Sequence, residues 1–133
     1  MIIILTGEPQ AQPRHKVCTR GGRVFGYDPA SKIKADLALQ LVGQKITLLE
    51  GPVYARITFY MPIRASMSKK KKASLKGTHH VKKPDIDNLQ KLYFDLLEGI
   101  AYTRDSQIAE VTAKKVYDTD PRVEIELLAM SGT

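Results

Sequence analysis

Apolar residues along the chain switch between two periods, and the switches mark the elements. Met1 to Thr6 is a continuous run of Ile and Leu that stops at Gly7, Pro9 and Pro13, the signature of a buried strand inside a sheet. Between Arg14 and Tyr27, Gly21-Gly22 separates two short segments that can pair as a hairpin. Ile33, Leu37 and Leu41 recur at four-residue steps after Asp28 and Pro29, predicting a helix capped by Asp28 that ends between Gly43 and Leu49. Val53, Ala55, Ile57 and Phe59 alternate with Tyr54, Arg56, Thr58 and Tyr60, the period of a strand with one face inward, and Pro62 ends it. Leu89, Leu92, Tyr93 and Leu96 share one side of a helix over 88–98, extended by Phe94 and Leu97. Its narrow polar stripe is Asn88, Lys91, Asp95 and Glu98, and Gly99 stops it. Two further strands are predicted over 106–117 and 122–130, with a turn at 118–121.

These elements predict a single-domain α/β sandwich spanning 1–133, a mixed sheet of about four main strands with two helices packed on it. Residues 66–83 carry no hydrophobic period and are long for a connection in a small domain, so the segment is expected to be functional or mobile.

Composition narrows the partners. The net charge is +7, and it is uneven: residues 14–34 hold six Lys and Arg against one acid, and residues 69–83 hold seven Lys and no acid. Such clustering suits a polyanion, because each neutralised phosphate releases counterions, although lysine runs also serve as solvated loops. No apolar run reaches the roughly 18 residues of a membrane span, and Met1 to Thr6 lacks the basic leader and cleavage site of a signal peptide. A single Cys18 builds no internal disulfide, in keeping with a cytoplasmic protein. His79 and His80 lie in the lysine-rich segment without any neighbouring Cys, which favours solvent or phosphate contact over a zinc site.

Candidate chemistry is concentrated in Lys83-Pro84-Asp85-Ile86-Asp87-Asn88-Leu89-Gln90-Lys91 and in Arg104-Asp105-Ser106-Gln107. Singly, each acid has a plain role. Asp87 with Gln90 fits a capping box worth about 1 kcal/mol, while Asp85 and Asp105 fit loop and turn positions. Lys91 fits a helical ion pair with Asp87 or Asp95 worth about 0.3–0.5 kcal/mol. Taken together, Asp85 and Asp87 at a helix start and Asp105 after a short return loop are expected to converge. Two like charges about 4 Å apart repel by roughly 4 kcal/mol at an effective dielectric near 20, so the cluster calls for a cation. An all-oxygen site favours Mg²⁺, with Mn²⁺ as a substitute, and Lys91 leans back toward the acids. The expected chemistry is metal-assisted hydrolysis in a basic groove, that of a nuclease.

The residues Lys82-Lys83-Pro84-Asp85-Ile86-Asp87-Asn88-Leu89 with Lys91, then Asp105-Ser106-Gln107-Ile108 and Lys115-Val116-Tyr117, resemble the RusA family of Holliday junction resolvases, endodeoxyribonucleases common in prophages. Gln12-Pro13-Arg14 is similar to the family's early basic motif, so the resemblance spans nearly the whole chain. Arg104 stands where many members carry a second acid, and Ala11-Gln12 where a lysine and a small residue are common. The resemblance implies that Asp85, Asp87 and Asp105 bind the catalytic metal and that Lys91 is the essential lysine. It implies paired symmetric nicks in a four-way junction by a homodimer, with no nucleotide cofactor and no membrane. Arg14, Lys16, Arg20, Arg23, Lys69, Lys70, Lys71, Lys72, Lys76, Lys82 and Lys83 are the expected DNA contacts, those from Lys69 onward holding phosphates and so setting affinity rather than site choice. Two other readings remain open: a metal nuclease of flap or single-strand preference, and a basic nucleic-acid-binding protein that does not cut.

Overall fold

A computed structural model describes residues 1–13, 16–20, 23–27 and 29–130, with the backbone alone for 16–20 and 23–27. A four-stranded sheet has the order β1 (Ile2–Thr6), β6 (Arg122–Ala129), β4 (Val53–Pro62), β5 (Ile108–Asp118). β1 and β4 flank β6 antiparallel, and β5 lies parallel to β4, so the sheet is mixed. Two strands, β2 (Lys16–Arg20) and β3 (Arg23–Tyr27), pair antiparallel as a separate two-stranded sheet, and Gly21-Gly22, the expected turn, lies outside the described residues. Helices α1 (Ser31–Leu39) and α3 (Ile86–Leu97) complete the α/β domain, with a third, shorter helix α2 (Lys69–Leu75).

The core lies where the alternating strands meet the apolar side of α3. Ile3, Ile125 and Ile57 stand in one row across the sheet, and Leu5, Val123 and Phe59 in the next, all buried. Against them α3 buries Leu89, Leu92, Tyr93, Leu96 and Leu97, and α1 adds Leu37. Burial of the Tyr93 hydroxyl, which accepts a hydrogen bond from the Gln10 amide at 2.8 Å, pushes its pKa up to about 12.

Three expectations need correction. β1 lies at an edge of the sheet, with Ile2 and Ile4 pointing outward, 63% and 43% exposed. Its unpaired side is instead met by side chains. Gln44 exchanges two hydrogen bonds with the Ile4 backbone, at 3.1 and 2.9 Å, and Gln40 exchanges two with the Thr6 backbone, at 2.7 and 3.1 Å, and accepts a third from the Thr6 hydroxyl at 3.0 Å. These amides imitate a neighbouring strand and close an edge that would otherwise invite pairing. Secondly, α1 begins after Ala30 and ends at Leu39, short of the expected 43–49, while Asp28, the expected cap, lies outside the described residues. Thirdly, the lysine run is helical: Ser68 Oγ accepts the Lys71 amide proton at 3.2 Å and starts α2. Lysine is a good helix former, and the cap outweighs the missing apolar period.

Candidate active site

The polypeptide enters α3 through Pro84 with Asp85 as the N-cap in an extended conformation. The Asp85 carbonyl accepts the Leu89 amide proton at 3.1 Å, while its carboxylate makes no capping bond. Asp87 falls in the first turn, where its Oδ1 accepts the Asn88 amide proton at 3.0 Å, so it does not form the capping box its spacing suggested. Both carboxylates are exposed, at the end of α3 where its unpaired backbone N–H groups lie. Asp85, Ile86 and Asp87 share an open cleft of about 530 Å³ with His79, His80, Ala113, Lys114 and Lys115. A neighbouring cleft of about 450 Å³ is lined by Lys83, Pro84, Asp85 and Asn88. The Gln12 amide donates to the Asn88 carbonyl at 3.0 Å, which ties the N-terminal segment to this end of α3. Arg14 and the side chains of Lys16, Arg20 and Arg23 lie outside the described residues.

Asp105 opens a 3-10 turn, Asp105–Gln107, placed immediately before β5. Gln107 fastens that turn. Its Oε1 accepts the amide protons of Thr103 and Arg104 at 2.8 and 3.1 Å, and its Nε2 donates to the carbonyls of Leu49 and Gly51 at 3.1 and 3.0 Å. Carboxylate oxygens of Asp105, Asp95 and Glu98 lie within 4.8 Å of one another. Desolvation raises the Asp95 pKa first of all; Asp105 and Glu98 raise it further, and Lys34 and Lys91 act against them.

Within one chain the structure therefore brings Asp105 to Asp95 and Glu98, and it leaves Asp85 and Asp87 at the opposite end of α3. Asp87 and Asp95 are eight residues apart, about 12 Å along the axis. Ligands of one Mg²⁺, each at about 2.1 Å, lie no more than about 4.2 Å apart. Lys91 stands between the two groups, one helical turn from Asp87 and one from Asp95, and is exposed. The polar stripe read from helical spacing had already placed Lys91, Asp95 and Glu98 on one side; nothing in the sequence marked the last two as partners of Asp105.

A basic surface borders the Asp85 end. Lys69, Lys70, Lys71 and Lys76 on or beside α2 are exposed, as are Lys82 and Lys83, and Lys72 is half-buried. The chain beyond α2 is stitched along β5: Gly77 N donates to the Tyr117 carbonyl at 2.9 Å, and Tyr117 N to the Thr78 carbonyl at 2.9 Å. His80 packs its ring on Tyr117 at 4.9 Å, and burial, with Lys115 and Lys82 nearby, holds its pKa below the usual histidine value. His79 remains exposed.

Residues 6–128 match the family described as Endodeoxyribonuclease RusA. The chain belongs to the RusA family. The match runs from the end of β1 to within β6 and takes in both acidic groups and the basic segment between β4 and α3. The chain is also similar to uncharacterized protein YqaN of Bacillus subtilis (strain 168), 35% identical over 133 residues, covering 95% of this chain and 94% of that protein. RusA membership makes this an endodeoxyribonuclease fold directed at branched DNA, and it suggests a divalent metal, for which the carboxylates present are suitable donors. Among the described residues no helix is long and apolar enough to cross a membrane.

Proposed function

We propose that this protein is a Mg²⁺-dependent, structure-specific endonuclease that resolves four-way DNA junctions by paired symmetric nicks, acting in the cytoplasm in recombination and repair. The observation that carries the reading is the exposed Asp85–Asp87 pair, uncommitted to capping and set in a cleft with Lys114 and Lys115 in a RusA-family chain. Its hard oxygen donors, without Cys, fit Mg²⁺ or Mn²⁺. When bound, such an ion supplies Lewis acidity toward the scissile phosphodiester. Asp85, Asp87 and Asp105 are the residues assigned to hold it. Lys91 offsets charge that develops on the phosphate, and the lysines of α2 with Lys76, Lys82 and Lys83 grip the flanking backbone.

The distance along α3 has a consequence for assembly. A homodimer in which the Asp85–Asp87 end of one chain meets the Asp105 end of its partner assembles two equivalent sites, matching the two strands of a four-way junction that symmetric resolution cuts. Neither site is complete within one chain.

The test is cleavage of a synthetic four-way junction by wild type and Asp87→Asn, in Mg²⁺ and in excess EDTA, beside flap and linear DNA. Paired nicks confined to the junction, needing both the metal and Asp87, are expected; equal cutting of all three substrates, or tight binding without nicks under any divalent ion, overturns the reading. Mixing Asp87→Asn with Asp105→Asn tests the assembly. A mixed dimer regains one intact site and nicks one strand, whereas sites confined to single chains regain none.

A further inference from the structure

Lys115 enters the reading above only as part of the cleft wall, yet it touches the approach to Asp85 at three points. Its carbonyl accepts the His80 amide proton at 3.0 Å. Its Nζ donates to the Lys82 carbonyl and to the Pro84 carbonyl, each at 2.7 Å. One residue of β5 thus pins both ends of the chain from His80 to Pro84. The Pro84 carbonyl belongs to the peptide plane that carries the Asp85 nitrogen, so fixing that oxygen fixes how Asp85 leaves the plane.

The register explains why a lysine stands here. Lys115 pairs with Phe59, placing it on the helix-side face of the sheet in the row of Leu5 and Val123, at the outer end of that row. The residue is half-buried, as expected for a stem that follows the sheet surface while its head reaches polar groups. An ammonium group supplies several donors from one point, and two carbonyls converge on it; a neutral aliphatic side chain would leave both without that donor. Lys115 also lines the cleft that contains Asp85 and Asp87, so its positive charge stands on their side.

We propose that Lys115 is a positioning residue of the nuclease site: through the Lys82 and Pro84 carbonyls it sets the direction in which Asp85, and with it Asp87, presents its carboxylate to the metal. The inference rests on the proposed assignment of those two acids as metal ligands. It differs from a phosphate contact, which would act on DNA affinity.

The experiment compares wild type, Lys115→Met, Lys115→Gln and Lys115→Arg as full chains. Three quantities are measured: Mn²⁺ binding by electron paramagnetic resonance, junction affinity without a divalent ion, and single-turnover cleavage across a Mg²⁺ titration. Supporting groups around metal ligands are commonly worth about 10–100-fold in metal affinity or activity, and a loss in that range is expected for Lys115→Met in both Mn²⁺ affinity and cleavage rate. Junction affinity should hold, raised Mg²⁺ should recover part of the rate, and Lys115→Arg, which keeps charge and donors, should recover most of it. Should Lys115→Met melt below the assay temperature, Lys115→Gln, which keeps an amide donor, gives the same comparison with a milder loss. Wild-type Mn²⁺ affinity in the Met and Gln variants, or a loss confined to junction affinity, overturns the proposal. Failure of the nuclease reading appears separately, as a wild type that binds Mn²⁺ but makes no metal-dependent nicks.

Discussion

Gln107 offers the most direct test of how Asp105 is held. Its amide makes four hydrogen bonds to backbone groups of Leu49, Gly51, Thr103 and Arg104, bridging the start of β4 to the turn that carries Asp105. The bond to Leu49 is partly buried and the other three are exposed. Allowing about 0.5 kcal/mol for each exposed bond and about 1 kcal/mol for the sheltered one, Gln107→Ala should cost about 2.5 kcal/mol. A urea unfolding series reads this as a midpoint lowered by roughly 1 M at an unchanged slope of about 2 kcal/mol/M. Gln107→Glu sharpens the test. A carboxylate still accepts from Thr103 and Arg104 but has no proton for the Leu49 and Gly51 carbonyls, so it should fail to recover wild-type stability. An unfolding midpoint unchanged by Gln107→Ala, or full stability in Gln107→Glu, refutes the claim that this amide bridges the two segments.

Three other outcomes follow from particular residues. Replacing Lys69, Lys70 and Lys71 together by Gln should leave cleavage chemistry intact and flatten the dependence of junction affinity on salt, by about 2.7 in the logarithmic slope if each lysine meets one phosphate; an unchanged slope removes α2 from the DNA surface. Gln44→Ala removes three hydrogen bonds, two to the open side of β1 and one to the Gln40 carbonyl, and should cost about 1.5 kcal/mol in urea unfolding, with greater self-association at high concentration by light scattering. Asp95 has a folded-state pKa raised above its ordinary 3.8, so the native state holds its proton longer than the unfolded chain and stability falls as pH rises through that raised value. In the absence of divalent ions, Asp95→Asn should therefore gain stability toward neutral pH, with the gain fading as pH drops below about 3.8; a loss at neutral pH, measured by thermal unfolding, contradicts it.

The α/β class, the inward positions of β4 and β6 and the apolar side of α3 were legible in the sequence because each is a local period imposed by one buried face. Val53, Ala55, Ile57 and Phe59 are all buried, as are Val123, Ile125 and Leu127. The edge position of β1 was not legible. Ile2 and Ile4 make the run look doubly buried, and what secures its open side is a pair of glutamines some 40 residues away, which carry no periodic signal. The α2 helix escaped because it buries no residue, so no apolar stripe announced it. Asp85, Asp87 and Asp105 stood out by residue type, but Asp95 and Glu98 looked like ordinary polar positions on an amphipathic helix. Their approach to Asp105 depends on where the chain turns back.

That turning point follows from topology. β4 and β5 are parallel neighbours, so the chain leaving the end of β4 must return to the opposite end of the sheet before β5 can begin, and α3 is the element that makes the return. Any residue that starts the crossover helix is then at one end of the sheet, and any residue that precedes the second strand is at the other. The 12 residues of α3 span about 18 Å, more than the loop from Gly99 to Arg104 gives back, because that loop already delivers Asp105 beside Asp95 and Glu98. A sequence reader who sees a short loop after a helix expects its ends to meet; in a parallel crossover the loop rejoins the end of the helix rather than its beginning. The proposed sharing of one ion by Asp85, Asp87 and Asp105 is what leads to the proposal of a second copy of the chain, and complementation between Asp87→Asn and Asp105→Asn is the measurement on which that proposed assembly depends.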